Sequence, residues 1–288
     1  MNIFICGLGL IGGSIAKAVK AHTFHTVIGF DRDGAVCSAA RAEGAIDRIG
    51  STDDLSACDL VLVALYPDAA AAFVRENLAK FKADAILVDT CGIKSAVAAA
   101  IAEAVAGSGI RYIGGHPMAG TERSGYTNAF GDLFAGASMI LCPEYCADEK
   151  ALATVSDFFL EIGFGRITLS SCTHHDEVIA FTSQLAHVVS SAYIHGRLST
   201  AYSGFSAGSF ADMTRVARLS ADMWTELFFE NRENLSAAIG ELMENLAKYK
   251  AALDGGDHAA MHALLAEGNA RKIESEKLAV AKEGAKSC

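Results

Sequence analysis

Asn2-Ile3-Phe4-Ile5-Cys6-Gly7-Leu8-Gly9-Leu10-Ile11-Gly12-Gly13-Ser14 is the stretch that decides the fold. Five β-type residues run into glycines at 7, 9 and 12, and an amphipathic stretch at 15–21 follows, giving strand, glycine loop and helix in that order. Glycines so placed allow a tight turn, a close approach of backbone to a pyrophosphate and tight packing of helix on strand. The helix N-terminus then points N–H donors at the phosphates. Gly7, Gly9, Leu10, Ile11 and Gly12 are therefore the expected dinucleotide cradle. A lone glycine pattern is weak evidence. Here a second strand at 26–30 ends in Asp31, close to the ~20-residue spacing expected of a ribose-binding carboxylate. An acid there accepts the ribose hydroxyls and repels a 2′-phosphate, which favours NAD over NADP. Arg32 has two readings, a stacking or phosphate-tolerating group and a solvated loop charge.

Two more strand-and-loop units follow. Residues 60–65 are a continuous apolar run stopped by Tyr66-Pro67, and residues 85–89 form another, followed by Thr90-Cys91-Gly92-Ile93-Lys94 and an alanine-rich helix at 95–106. Runs of this kind suit strands covered on both faces, and loops at their carboxyl ends line a nucleotide crevice. Leu65, Tyr66, Pro67 and Thr90 are thus expected beside the nicotinamide. Beyond Ile167 the β pattern stops, and the rest reads as helical with turns near Ser203-Gly204 and Gly255-Gly256. The expected architecture is an α/β Rossmann-type doubly wound sheet over 1–170, then an all-α domain over 171–288. Within the latter, Leu235, Ile239, Leu242, Leu246, Tyr249 and Leu253 recur in alternating steps of four and three. That apolar seam requires a packing partner, and a second subunit fits the need.

Composition narrows the function. With 288 residues, 51% of them hydrophobic and 20% charged, the chain can bury a large core. A formal charge of −10 without any basic cluster argues against nucleic acid and anionic membranes as partners and for a small-molecule substrate. The apolar N-terminal run lacks a basic leader and is broken by glycines, and no later run is long enough to span a bilayer. Eight cysteines are scattered without CxxC pairs. We read reduced thiols in a cytoplasmic protein, and Cys142 and Cys146 with His174 and His175 match no zinc spacing.

The candidate catalytic residue lies in Gly114-Gly115-His116-Pro117-Met118-Ala119-Gly120-Thr121-Glu122. An imidazole titrates nearest neutrality, and the flanking glycines, read as a turn after a strand, let a ligand come close. A histidine in such a loop is also compatible with a purely structural role. Residues 114–125, together with the glycine loop and Gly208-Ser209-Phe210-Ala211-Asp212-Met213-Thr214-Arg215-Val216-Ala217, closely resemble the prephenate and arogenate dehydrogenases. The resemblance spans nearly the whole chain.

This resemblance implies oxidative decarboxylation of a cyclohexadienol with NAD, without a metal, and makes His116 the catalytic residue. It makes Arg215 the grip on the side-chain carboxylate, a task that suits a planar guanidinium. Asp212, one turn earlier, would hold Arg215, and Glu122 would join them in a gate. Trp224, the only tryptophan, follows nine residues after Arg215, and is either site or core. Ser183-Gln184-Leu185-Ala186-His187 stands where family members often carry Ser-His-Leu-Pro-His. Ser183 and His187 keep the outer positions as substrate contacts, and Gln184 replaces a chargeable group by an amide. Gly92 replaces a serine that the family often uses to orient the catalytic histidine. Thr90, Ser95, a backbone group or a water must then orient His116, and Lys94 is either a helix-start surface charge or part of the site. The family also implies a homodimer through the helical domain, and because the chain begins at the first strand and ends soon after Lys282, no fused mutase and no regulatory domain are expected. Two other readings stay open. A hydroxyacid or imine dehydrogenase would share the glycine loop but use a lysine base, and a nucleotide sensor would keep the loop and dispense with catalysis.

Overall fold

Strand β1 (Asn2–Cys6) sits mid-sheet because all but its first residue are buried on both sides. The computed structural model describes residues 1–121 and 123–284, and around β1 it places β2 (Thr26–Phe30), β3 (Arg48–Ile49), β4 (Leu60–Val63), β5 (Ile86–Asp89), β6 (Arg111–Pro117), β7 (Ser138–Cys142) and β8 (Arg166–Leu169). The order is β3-β2-β1-β4-β5-β6-β7-β8, parallel throughout except for the antiparallel β6–β7 pair. The helices are α1 (Leu10–His22), α2 (Gly34–Ala42), α3 (Pro67–Asn77), α4 (Ser95–Val105) and α5 (Glu149–Glu161) among the strands. After β8 come α6 (Cys172–Ile179), α7 (Leu185–Ile194), α8 (Gly208–Thr214), α9 (Ala221–Glu230), α10 (Arg232–Asp254) and α11 (His258–Gly284).

Alternate strand residues feed two cores. Ile3, Ile5, Leu62, Val88 and Ile113 pack with Ile15 and Val19 of α1 and Val155 and Phe159 of α5. Phe4, Val61, Val63 and Leu87 face the other way, onto Phe73 and Val74 of α3 and Val97 and Ile101 of α4. With helices on both faces the central strands β4 and β5 are buried along their whole length, which is why they read as unbroken apolar runs.

The glycine loop follows the sequence reading, with the helix beginning earlier, at Leu10 rather than near residue 15. Gly7 takes φ +87°, a left-handed conformation that costs a side-chain-bearing residue free energy. A Cβ on Gly12 would lie 1.8 Å from the Gly7 carbonyl oxygen, so helix and strand can approach only without it.

Two boundaries differ from expectation. His116 lies inside β6, paired with Ile140 of β7, rather than in a turn. The glycine pair that reads locally as a turn serves strand packing: a Cβ on Gly115 would come within 2.6 Å of the Asp89 carbonyl oxygen. Strand β8 also continues to Leu169, past the point where the β pattern fades, because β7 pairs with it. A single residue pattern does not reveal cross-strand pairing of this kind.

The chain divides into two compact units, Met1–Leu235 and Ser236–Cys288. Helices α6 to α9 thus belong to the same unit as the sheet. In the second unit the Tyr249 hydroxyl donates to the Leu264 carbonyl across the α10–α11 turn, while Leu246 and Leu253 of the seam stay exposed. Among the described residues no helix is long and apolar enough to cross a membrane, and the seven described cysteines are free thiols.

Candidate active site

The nucleotide end is built by the loop after β1. Gly9 caps α1 without any side-chain hydrogen bond, and a Cβ there would meet no atom within 4 Å. Open space thus lies beside unsatisfied first-turn N–H groups, as a pyrophosphate requires. Asp31, at the end of β2, accepts from Leu8 N–H at 2.8 Å and Asp33 N–H at 2.9 Å. Those bonds pin the carboxylate beside the loop and leave lone pairs for ribose hydroxyls. Arg32 is exposed. Tyr66 and Pro67 start α3 directly after β4 and Leu65, and Thr90 N–H donates to the Val63 carbonyl at 3.1 Å. The residues present fit a dinucleotide.

At the catalytic end, His116 Nδ1 stands 2.8 Å from His175 Nε2, and His175 Nδ1 stands 2.7 Å from Asp176 Oδ1. Asp176 also caps helix α4 across the fold: its Oδ1 accepts from Lys94 N–H and its Oδ2 from Ser95 N–H, each at 2.7 Å. Burial alone would raise the Asp176 carboxyl, but the bonds from His175, Ser95 and Lys94 bring it below its ordinary value. Burial, then His175, then the Lys94 charge push His116 well below the usual histidine range, against the pull of Asp176. Its imidazole is neutral at physiological pH and able to take a proton.

Neither Thr90 nor Ser95 orients His116. Ser95 bonds Asp176, through its backbone N–H and its hydroxyl, and not His116, whereas His175 is buried and bonded to His116 directly. The residue pattern gave no notice of this, since His175-Asp176 reads only as the start of a helix and 59 residues separate the two rings. Gly92 faces the other ring nitrogen. A Cβ there would lie 3.9 Å from His116 Nε2 and 3.7 Å from Leu227 of α9.

Lys94 is fully buried, so it is not a surface charge. Its ammonium pairs with Asp89 and donates to the Gly115 carbonyl at 2.7 Å, next to His116, while the Tyr112 hydroxyl donates to the other Asp89 oxygen at 2.7 Å. Burial would pull the ammonium down, but Asp89 holds it above its ordinary value. With the Cys91 N–H also donating to Asp89 at 2.9 Å, a buried pair satisfied by three further groups is costly to break from one side.

The substrate residues fall into two groups. Gln184 is buried, and both ends of its amide are taken: Nε2 donates to the Leu227 carbonyl at 2.9 Å and Oε1 accepts from Asn231 at 2.8 Å. Asn231 in turn donates to the Asp176 carbonyl at 2.8 Å. Gln184 therefore ties α9 to α6 rather than facing a ligand, and the π-helical turn Ala180–Gln184 brings it inward. His187 instead stacks on Trp224, with ring centroids 3.8 Å apart, and its Nδ1 donates to the Ser183 carbonyl at 2.9 Å. Burial chiefly, and the Arg215 charge besides, lower its pKa, and the 3-10 turn that carries Arg215 packs against α7, the helix of His187. Arg215 is exposed, in the 3-10 turn Arg215–Ala217 that ends α8. Asp212 is exposed and makes no ion pair with it among the described residues, so the expected clasp is not formed. Glu122 lies outside the described residues. On another face of α9, Glu226 and Glu230 meet Asp68, and burial with those two neighbours pushes Glu230 up to about 7.

One helix thus serves both ends. Leu227 of α9 faces Gly92 and His116, and Trp224, one turn earlier, faces His187. Against known proteins, residues 15–168 match the prephenate dehydrogenase nucleotide-binding domain and residues 171–267 the prephenate dehydrogenase dimerization domain. The chain belongs to the prephenate dehydrogenase family. A cyclohexadienyl dehydrogenase of Zymomonas mobilis is 35% identical over 276 residues, 91% of this chain and 92% of that one. The prephenate dehydrogenase of Bacillus subtilis is 27% identical over 89% of this chain and 71% of its own. Among solved structures, prephenate dehydrogenase from A. aeolicus in complex with hydroxyphenyl propionate and NAD+ superposes with a TM-score of 0.86, at 26% identity, over 95% of this chain and 98% of that one.

Proposed function

We propose that this chain is an NAD-dependent oxidoreductase that oxidatively decarboxylates prephenate to 4-hydroxyphenylpyruvate, or arogenate to tyrosine. The observation that carries the reading is His116, neutral, held through Nδ1 and presenting Nε2 toward the Gly92–Leu227 side. NAD, when bound, supplies the hydride acceptor. His116 Nε2 takes the ring hydroxyl proton as the C4 hydride leaves, so that charge does not build up on oxygen. The ring carboxylate departs as carbon dioxide, its electron pair completes the aromatic ring as the carbonyl pair moves onto oxygen, and that oxygen takes a proton back from His116 to give the phenol. Arg215 grips the side-chain carboxylate, which both substrates share, with Ser183, His187 and Trp224 around the ring and side chain. Asp31 disfavours the 2′-phosphate of NADP.

Residues 1–170 serve as the dinucleotide-binding domain and 171–288 as the substrate and dimerisation domain, with the exposed Leu246 and Leu253 available to a second copy in a homodimer. A cytoplasmic site without nucleic-acid or membrane partners suits the acidic charge and the free thiols. The test is NADH formation at about 340 nm with prephenate and with arogenate, each offered NAD and NADP. Oxidation of at least one substrate, with NAD preferred in kcat/KM, is expected. No oxidation of either would leave a nucleotide sensor, and equal use of NADP would give the ribose pocket to Arg32 rather than Asp31.

A further inference from the structure

We infer that His175 is a positioning residue that fixes which nitrogen of His116 carries the proton, doing from α6 what a side chain at position 92 cannot do in this chain. The inference rests on the reading of His116 as the base.

The direction of the hydrogen bonds follows from Asp176. Its carboxylate already accepts from Lys94 N–H and Ser95 N–H, and an ionised carboxylate can only accept. His175 Nδ1 must therefore donate to it. A neutral imidazole that donates through one nitrogen accepts through the other, so His175 Nε2 accepts from His116 Nδ1. His116 is left with a bare Nε2, the nitrogen that looks toward Gly92 and Leu227. The opposite tautomer would put a hydrogen on Nε2 and abolish its capacity as a base. An isolated imidazole takes both forms, so removal of the acceptor at Nδ1 withdraws the constraint.

The remainder of the fold holds this chain of bonds in place. Asp176 is fixed at the N-terminus of α4, where its charge also meets the helix dipole. His175 is buried on the first helix after the sheet, and Asn231 holds the Asp176 carbonyl at 2.8 Å. A serine at 92 would approach Nε2, the reacting nitrogen, and not Nδ1. Orientation in this chain thus comes from behind the ring and leaves the front clear for the substrate hydroxyl.

The experiment compares the parent with His175→Gln and His175→Leu, reading kcat, NAD affinity by calorimetry and the His116 tautomer by ¹⁵N NMR of labelled imidazole. Glutamine offers an amide oxygen that can accept from His116 Nδ1, whereas leucine offers nothing. The parent should show a proton on Nδ1 and a bare Nε2. Glutamine should retain that tautomer and lose no more than ~10-fold in kcat, while leucine should mix the tautomers and lose ~10²–10³-fold with NAD affinity unchanged. A parent protonated at Nε2 overturns the proposal without any variant, and so does a leucine variant with an unchanged tautomer or kcat within three-fold of the parent. If the parent oxidises neither substrate, the reading of the reaction has failed, and the NMR tautomers still decide the role of His175.

Discussion

The two ends of the candidate site are built differently. Around His116 the polar groups are engaged inside the protein: Asp176 on two backbone N–H groups and His175, Lys94 on Asp89 and Gly115, Tyr112 on Asp89. Around Arg215 the cation is exposed at the end of a short helix, and Asp212 makes no ion pair with it among the described residues. A base must have a defined tautomer and be unprotonated before substrate arrives; directional bonds provide the first and burial the second. A grip on a carboxylate needs charge and reach, and its partner is the ligand itself. The chemistry is assembled in advance, and the binding end waits for its anion.

Substitution at His116 should expose that contrast most strongly. His116→Asn is expected to lower kcat by ~10²–10⁴-fold with little change in NAD affinity, checked by steady-state kinetics beside calorimetry. In the parent, activity should persist as pH falls past the ordinary histidine range and fail only when His116 protonates, because its pKa lies well below 6.5. Stability has the same sign. His116, His175 and His187 all titrate lower in the folded chain than when unfolded. The unfolded state therefore binds more protons below about pH 6.5, and denaturant midpoints should fall as the solution is acidified through that range.

Next in size, Lys94→Met leaves Asp89 ionised and buried beside Tyr112. A loss of ~3–5 kcal/mol is expected from equilibrium unfolding; a change under 1 kcal/mol would mean that the pre-built end is less dependent on its charges than the geometry implies. Arg215→Ala should leave stability untouched and raise KM by roughly ten- to hundred-fold, the worth of a charge-assisted contact of ~1.5–3 kcal/mol, with lysine restoring part. An unchanged KM for both substrates would remove Arg215 from the site. Smallest of all, Gly92→Ser should alter kcat by no more than a few-fold. Its Cβ meets only ordinary contacts, at 3.7 Å from Leu227 and 3.9 Å from His116 Nε2, and the ring is already held from its other side. A large gain would assign the orienting role to position 92 after all.

Sequence alone determined the α/β half, because its signals are local. The glycine loop needs a positive φ at Gly7 and an absent Cβ at Gly12, and strands covered on both faces show as apolar runs over 60–63 and 86–89. It also singled out His116, Asp31 and Arg215, whose residue types fit their chemistry. Tertiary structure alone decided what surrounds them. His175 meets His116 across 59 positions and Asp176 caps a helix 81 positions earlier, and Gln184 turns from substrate contact to internal tie because Asn231 and Leu227 take both ends of its amide. The strand around His116 extends because β7 pairs with it. A hydrogen bond depends on distance and direction in space, and neither is encoded in the spacing of two residues along a chain that has yet to fold.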